Sequence, residues 1–127
     1  EYYDALLGVS AEGDWSTWIE FFALGLAASA HAARMRMLAL AAVQAELKER
    51  LKSTSIRTAN ARLLIDFAVG QPTFTVAQAA HAMGMGSAGA KKLIDSLVNN
   101  DILAPYDDRL YGRRFHAPRV LQILLER

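Results

Sequence analysis

The chain has no cysteine. That excludes disulfides, thiol nucleophiles and any cysteine-based zinc site, and a cytoplasmic location fits the absence. Proline is scarce, three residues in 127, so little in the sequence interrupts helix. Charged residues make up 21% and apolar residues 53%. That balance excludes a disordered tail and is enough for a real core. A long uncharged run of large apolar residues is also lacking. The most apolar stretch, Ala23 to Val43, is dominated by alanine and carries His31, Arg34 and Arg36. No membrane span and no membrane partner is therefore expected. No signal-peptide pattern stands at the start. The first residue is Glu1 and not methionine, so the chain is read as part of a longer protein.

Chemistry-bearing constellations are missing too. His31, His81 and His116 lie far apart and none has a partner at metal-ligand spacing. No metal site is expected. Gly84-x-Gly86 follows a helical pattern and lacks the other glycine and lysine positions of a phosphate loop. Glu12 and Asp14 flank a glycine and are explained as a loop charge and a cap. No nucleophile-base pair is supported by spacing, and no catalytic residue is assigned.

What is present is helix. Glu1 to Val9 reads as a short apolar helix, followed by a loop over Ser10 to Gly13. Asp14 suits an N-cap, with Thr17 to Glu20 a competing capping box three residues later. Trp15, Trp18, Ile19, Phe22 and Leu26 then recur at helical spacing, with Phe21 and Leu24 off that stripe. A helix apolar on more than one face is buried on more than one side. Trp15, Trp18, Phe21 and Phe22 are accordingly candidate interface residues, with a packed core as the alternative reading of their spacing. The pattern continues to Lys52. One helix that long would span ~57 Å at ~1.5 Å per residue, so a break or kink near Gly25 or Ser29 is expected. The alternative is an unbroken helix packed against another chain. Ser53 to Ser55 marks a boundary, giving a helical segment over residues 1–55 and a second domain over 56–127.

The charge is split across that boundary. Residues 1–56 carry five Lys/Arg against seven Asp/Glu, or −2; residues 57–127 carry nine against six, or +3. The basic excess falls on the second domain. There a helix over Ile56 to Val69, with Leu63, Leu64, Phe67 and Ala68 on one face, stops at Gly70-Gln71-Pro72. Thr75 can cap a helix from Val76 to Met83. Gly84 to Gly86 make a turn, and Ser87 can cap a helix from Ala88 to Asn100. Ile102 to Tyr106 and Leu110 to Phe115 read as strands around Asp107-Asp108-Arg109. Pro118 can open a last helix that packs Val120, Leu121 and Leu124. The expected fold is mainly α, a helical N-terminal segment followed by a winged helix-turn-helix: three helices and a β-hairpin wing.

Such a module mainly binds DNA and otherwise holds protein partners. Its second helix packs Ala90, Leu93, Ile94, Leu97 and Val98 inward and presents Ser87, Lys91 and Lys92 outward. These hold phosphate but specify little. No Arg, Asn or Gln, the side chains that bond a base twice, stands on its first two turns. Arg109, Arg113 and Arg114 on the wing suit phosphates or the minor groove. Ser87, Lys91, Lys92, Arg109, Arg113 and Arg114 are the candidate nucleic-acid contacts, with a solvated, merely charged hairpin as the plain reading.

Glu1-Tyr2-Tyr3-Asp4-Ala5-Leu6-Leu7, Gly13-Asp14-Trp15 and Trp18-Ile19-Glu20-Phe21-Phe22 resemble the segment that follows the catalytic core in the Fic (filamentation induced by cAMP) family. There a tyrosine-bearing helix leads to a tryptophan-rich helix, a long connecting helix and often a C-terminal winged helix-turn-helix. The resemblance covers essentially the whole chain. It implies that the full-length protein is an adenylyltransferase moving AMP from ATP to a hydroxyl side chain of a target protein. The family's catalytic motif, a histidine followed by a Gly-Asn-Gly-Arg loop, does not stand in this sequence, so no catalytic residue carries over. ATP and Mg are implied only for the missing core. The partners implied are that core, DNA, and a second copy of the chain.

Overall fold

The computed structural model describes residues 1–126. Among them are six helices and three short strands: α1 (Tyr2–Glu12), α2 (Trp15–Lys52), α3 (Ala59–Gly70), β1 (Phe74–Thr75), α4 (Val76–Met83), α5 (Ser87–Asn99), β2 (Ala104–Pro105), β3 (Arg114–His116) and α6 (Pro118–Leu125). The protein is mainly helical with one small antiparallel sheet. It divides into two compact units, Glu1–Met37 and the residues from Leu38 onward.

In the first unit α1 runs one turn further than the sequence suggests, taking in Ser10 to Glu12. Gly13 ends it in the left-handed conformation at φ 68°, its N–H reaching the Val9 carbonyl at 3.1 Å and that of Asp14 reaching Gly8 at 3.2 Å. Asp14, not Thr17, starts α2: its carboxylate accepts the Thr17 N–H at 3.2 Å. The Thr17 side chain and backbone hydrogen bonds hold that carboxyl below its usual range. α2 then passes through Gly25 and Ser29 without the expected break. A mid-helix glycine costs only ~1 kcal/mol relative to alanine, and no proline lies between residues 15 and 52.

The first unit buries little. Ala5 is its one fully buried apolar side chain among the described residues, while Tyr3, Leu7, Trp15, Phe22 and Leu26 are more than half exposed. Its aromatic rings touch one another instead. Tyr2 meets Phe21 at 6.2 Å, Trp18 stacks on Phe22 at 5.4 Å, and Trp15 meets Trp18 edge-on at 6.5 Å.

The second unit closes a core. Val43, Leu47 and Leu51 on the last turns of α2 pack with Leu64 and Ile65 of α3, Ile94 and Leu97 of α5, and Phe74, Phe115 and Val120. α3 starts at Ala59, three residues later than the pattern indicates, because Thr58 caps it by accepting the Asn60 N–H at 3.3 Å. The buried face of α3 is Ala61, Leu64, Ile65 and Ala68; Leu63 turns out to solvent at 50% exposure. α4 begins at Thr75 with a reciprocal cap: Gln78 N–H to Thr75 Oγ1 at 3.2 Å, Thr75 N–H to Gln78 Oε1 at 3.0 Å. Gly84 ends it at φ 65°.

The wing-like segment is more irregular than expected. The sheet has order β1-β3-β2, with Phe74 opposite Phe115 and Ala104 opposite His116. Its first strand comes from the segment before α4. The expected strands 102–106 and 110–115 shrink to two and three residues. Ile102 and Leu103 turn into the core. Asp107 accepts the N–H groups of both Arg109 and Arg114, at 3.3 and 3.4 Å, and this local bonding competes with the ladder. Residues 107–113 therefore form a loop, with Gly112 at φ 64°. Pro118 opens α6 as expected, and that helix packs Val120, Ile123 and Leu124, with Leu121 not part of the core. Arg119 pairs with Glu46 of α2 at 3.2 Å.

Candidate nucleic-acid interface

A groove of about 590 Å³ lies where the starts of α4 and α5 meet the loop that follows β2. Thr75, Val76 and Ala77 form one wall, Ser87 and Lys91 another, and Leu110, Gly112 and Arg113 the third, with Phe115 at its base. The local sequence explains this shape. Gly84 lets the chain reverse tightly after α4, and Phe74 opposite Phe115 sets the sheet beneath the loop.

The start of α5 is open. Gly86 is its N-cap and supplies no side-chain hydrogen bond, so Ser87 is the first helical residue and not the cap the sequence suggests. The first bond within the helix runs from Ala90 N–H to Gly86 O at 3.0 Å. The N–H groups of Ser87, Ala88 and Gly89 therefore have no partner within the helix, and they carry the positive end of its dipole. The Ser87 hydroxyl and the Lys91 ammonium stand beside them.

The candidate cations differ in their engagements. Lys91 Nζ bonds both oxygens of Asp95 at 2.8 Å, in an exposed pair one turn apart. Such a pair is worth only a few tenths of a kcal/mol, so a phosphate competes for it. Arg113 donates from Nε to the Arg109 carbonyl at 3.0 Å, which holds its guanidinium against the groove. Arg109 is largely exposed, its Nε 3.8 Å from Asp107. Arg114 is turned away: Nε reaches Thr73 Oγ1 at 2.9 Å and its terminal nitrogen the Thr73 carbonyl at 3.2 Å, tying β3 to the segment before β1. Lys92 lies on another side of α5, in a separate depression with Asn60, Met85 and Ser96. Thus Ser87, Lys91 and Arg113 come together, Arg109 stands at the rim, and Lys92 and Arg114 belong elsewhere.

No protein-family model, no curated protein and no solved structure matches the chain.

The site also holds residues that strand-like alternation concealed. Leu110 and Tyr111 are 89% and 91% exposed at the tip of the loop. Gly112, which frees the backbone there, was the readable sign of a loop in place of a strand. Among the described residues no group of three His, Asp or Glu side chains gathers to hold a metal. No described helix is long and apolar enough to cross a membrane. His116, just past the loop, has a buried Nδ1 without a hydrogen-bond partner. Burial lowers its pKa, and a backbone bond with Ala104 works in the opposite direction.

The second set of candidates lies on α2. Trp15 and Phe22 are 60% and 55% exposed, while Trp18 and Phe21 are half-buried. Phe21, Phe22, Gly25, Leu26 and Ser29 line a shallow depression along the helix.

Proposed function

We propose that the second unit is a winged helix-turn-helix that grips the backbone of duplex DNA, with little dependence on base sequence. In this reading α4 and α5 are the helix-turn-helix and residues 104–116 the wing. The observation that carries it is the groove: an uncapped helix start, a hydroxyl, an exchangeable lysine and a held arginine face one cleft. Phosphate oxygens suit all four. The exposed face of α5 offers small residues and lysines where base-reading side chains would stand.

The test is binding to mixed-sequence duplex DNA by fluorescence anisotropy across a salt series. Binding at micromolar protein in low salt is expected. Lys91→Ala and Arg113→Ala should each lower the slope of log K against log salt by about 0.9, the share of one phosphate contact. No binding at tens of micromolar in low salt would refute the proposal.

A second reading concerns the whole protein. The motif from Glu1 to Phe22 and the exposed rings of the first unit support a non-catalytic, regulatory tail of a Fic-type adenylyltransferase. Trp15, Trp18, Phe21 and Phe22 would seat against its catalytic core, which would bind ATP and Mg. The natural coding sequence tests it: a histidine followed by a Gly-Asn-Gly-Arg loop should stand upstream of Glu1, and its absence there removes the reading.

A further inference from the structure

The exposed part of α2 carries its own description of a partner. Between Trp15 and Met37 the helix is apolar almost all round, and its bulky groups are exposed. Its few charges are sorted by sign: Glu20 toward one end, Arg34 and Arg36 toward the other. Two copies laid side by side in parallel would set arginines against arginines. Laid antiparallel, each copy's Glu20 faces the other's arginines, at both ends of the contact, and the helix dipoles also oppose.

The register follows from the same residues. Midway between Glu20 and Arg34 lies residue 27, and midway between Glu20 and Arg36 lies residue 28. Both are alanines in the run Ala27-Ala28-Ser29-Ala30. Small side chains at a crossing let two helix backbones approach closely. About that centre the rigid rings near Trp15 to Phe22 meet the flexible, exposed Met35 and Met37 of the other copy, and methionine adapts to irregular aromatic surfaces. Charge, bulk and smallness thus select one arrangement.

We infer that α2 pairs with the α2 of a second copy of this chain, antiparallel, with a two-fold axis at Ala27 and Ala28. This contact is independent of the DNA groove on the second unit, and either can fail without the other.

Sedimentation equilibrium on the full chain tests it. A dimer at tens of micromolar is expected, and a strict monomer at ten times that concentration overturns the inference. Glu20→Arg, and separately Arg34→Glu with Arg36→Glu, should each weaken the dimer about tenfold or more through like-charge contacts, while the triple swap restores it. All three positions are exposed, and circular dichroism should show unchanged helix in each variant. Dimers that ignore the reversals, or that the triple swap fails to restore, overturn the inference. Orientation is read by cross-linking, which the cysteine-free chain makes clean. Glu20→Cys mixed with Arg34→Cys should join through a short bismaleimide. Efficient joining of Glu20→Cys to itself would show a parallel pair and overturn the inference.

Discussion

The two units share a chain and a composition rich in apolar residues, yet they dispose of those residues in opposite ways. The second unit turns its large side chains inward, and Phe74, Leu64, Ile65, Ile94 and Leu97 are wholly removed from water. The first unit has rings in contact with one another but leaves them largely at the surface, with Tyr3 at 80% exposure. Burial at ~25 cal/mol per Å² stabilises the one and is withheld from the other until something covers it. Apolar content therefore says little about where stability resides; which side chains are closed over says more.

The largest expected effect exposes this contrast directly. Phe74→Ala removes a fully buried ring packed against Phe67 and Phe115. It should cost about 3–5 kcal/mol in urea denaturation of the second unit. Trp15→Ala, removing a larger but exposed ring, should cost the isolated chain under ~1 kcal/mol. Equal losses would break the contrast. Next, Thr75→Ala removes the reciprocal cap of α4 and should cost about 1 kcal/mol, measured in the same way.

A smaller effect concerns acid. Burial lowers the pKa of His116 in the folded state below the value near 6.5 of the unfolded chain. Above ~6.5 the imidazole is neutral in both states and the second unit keeps its full stability. As pH falls below that value the unfolded chain takes up the proton first. Stability then declines until the folded pKa is passed. The melting temperature should fall between pH 7 and pH 5, and His116→Gln should flatten that part of the profile. Asp66, held below its usual range chiefly by Lys48 at 2.8 Å, adds a loss only at pH below ~4.

The elements legible in the sequence were those fixed by neighbours. α4 could be read almost to the residue because Thr75, Gln78 and Gly84 decide its ends within one turn each. The buried face of α5 followed from its period. What escaped was decided by competition or by distance. The strands of the loop region lost their ladder to the Asp107 carboxylate. Gly25 looked like a break because the penalty for one glycine was not set against a helix of 38 residues. Of the proposed cations, Lys91 and Arg113 share a groove with Ser87. Arg114 sits in the same run of basic residues, yet Thr73, 41 positions earlier, takes its guanidinium. No local pattern contains that contact.

Gly86 gives this fold an unused option. Its backbone, at φ −73° and ψ 156°, is one that any residue adopts. Aspartate or serine there would cap α5 and raise stability by a few tenths of a kcal/mol. The same side chain would occupy the amides that an incoming phosphate needs, and aspartate would also repel it. Gly86→Asp should therefore make the protein slightly harder to unfold and worse at holding DNA. The vacant cap keeps those amides free for a ligand, at the expense of a slightly less stable helix.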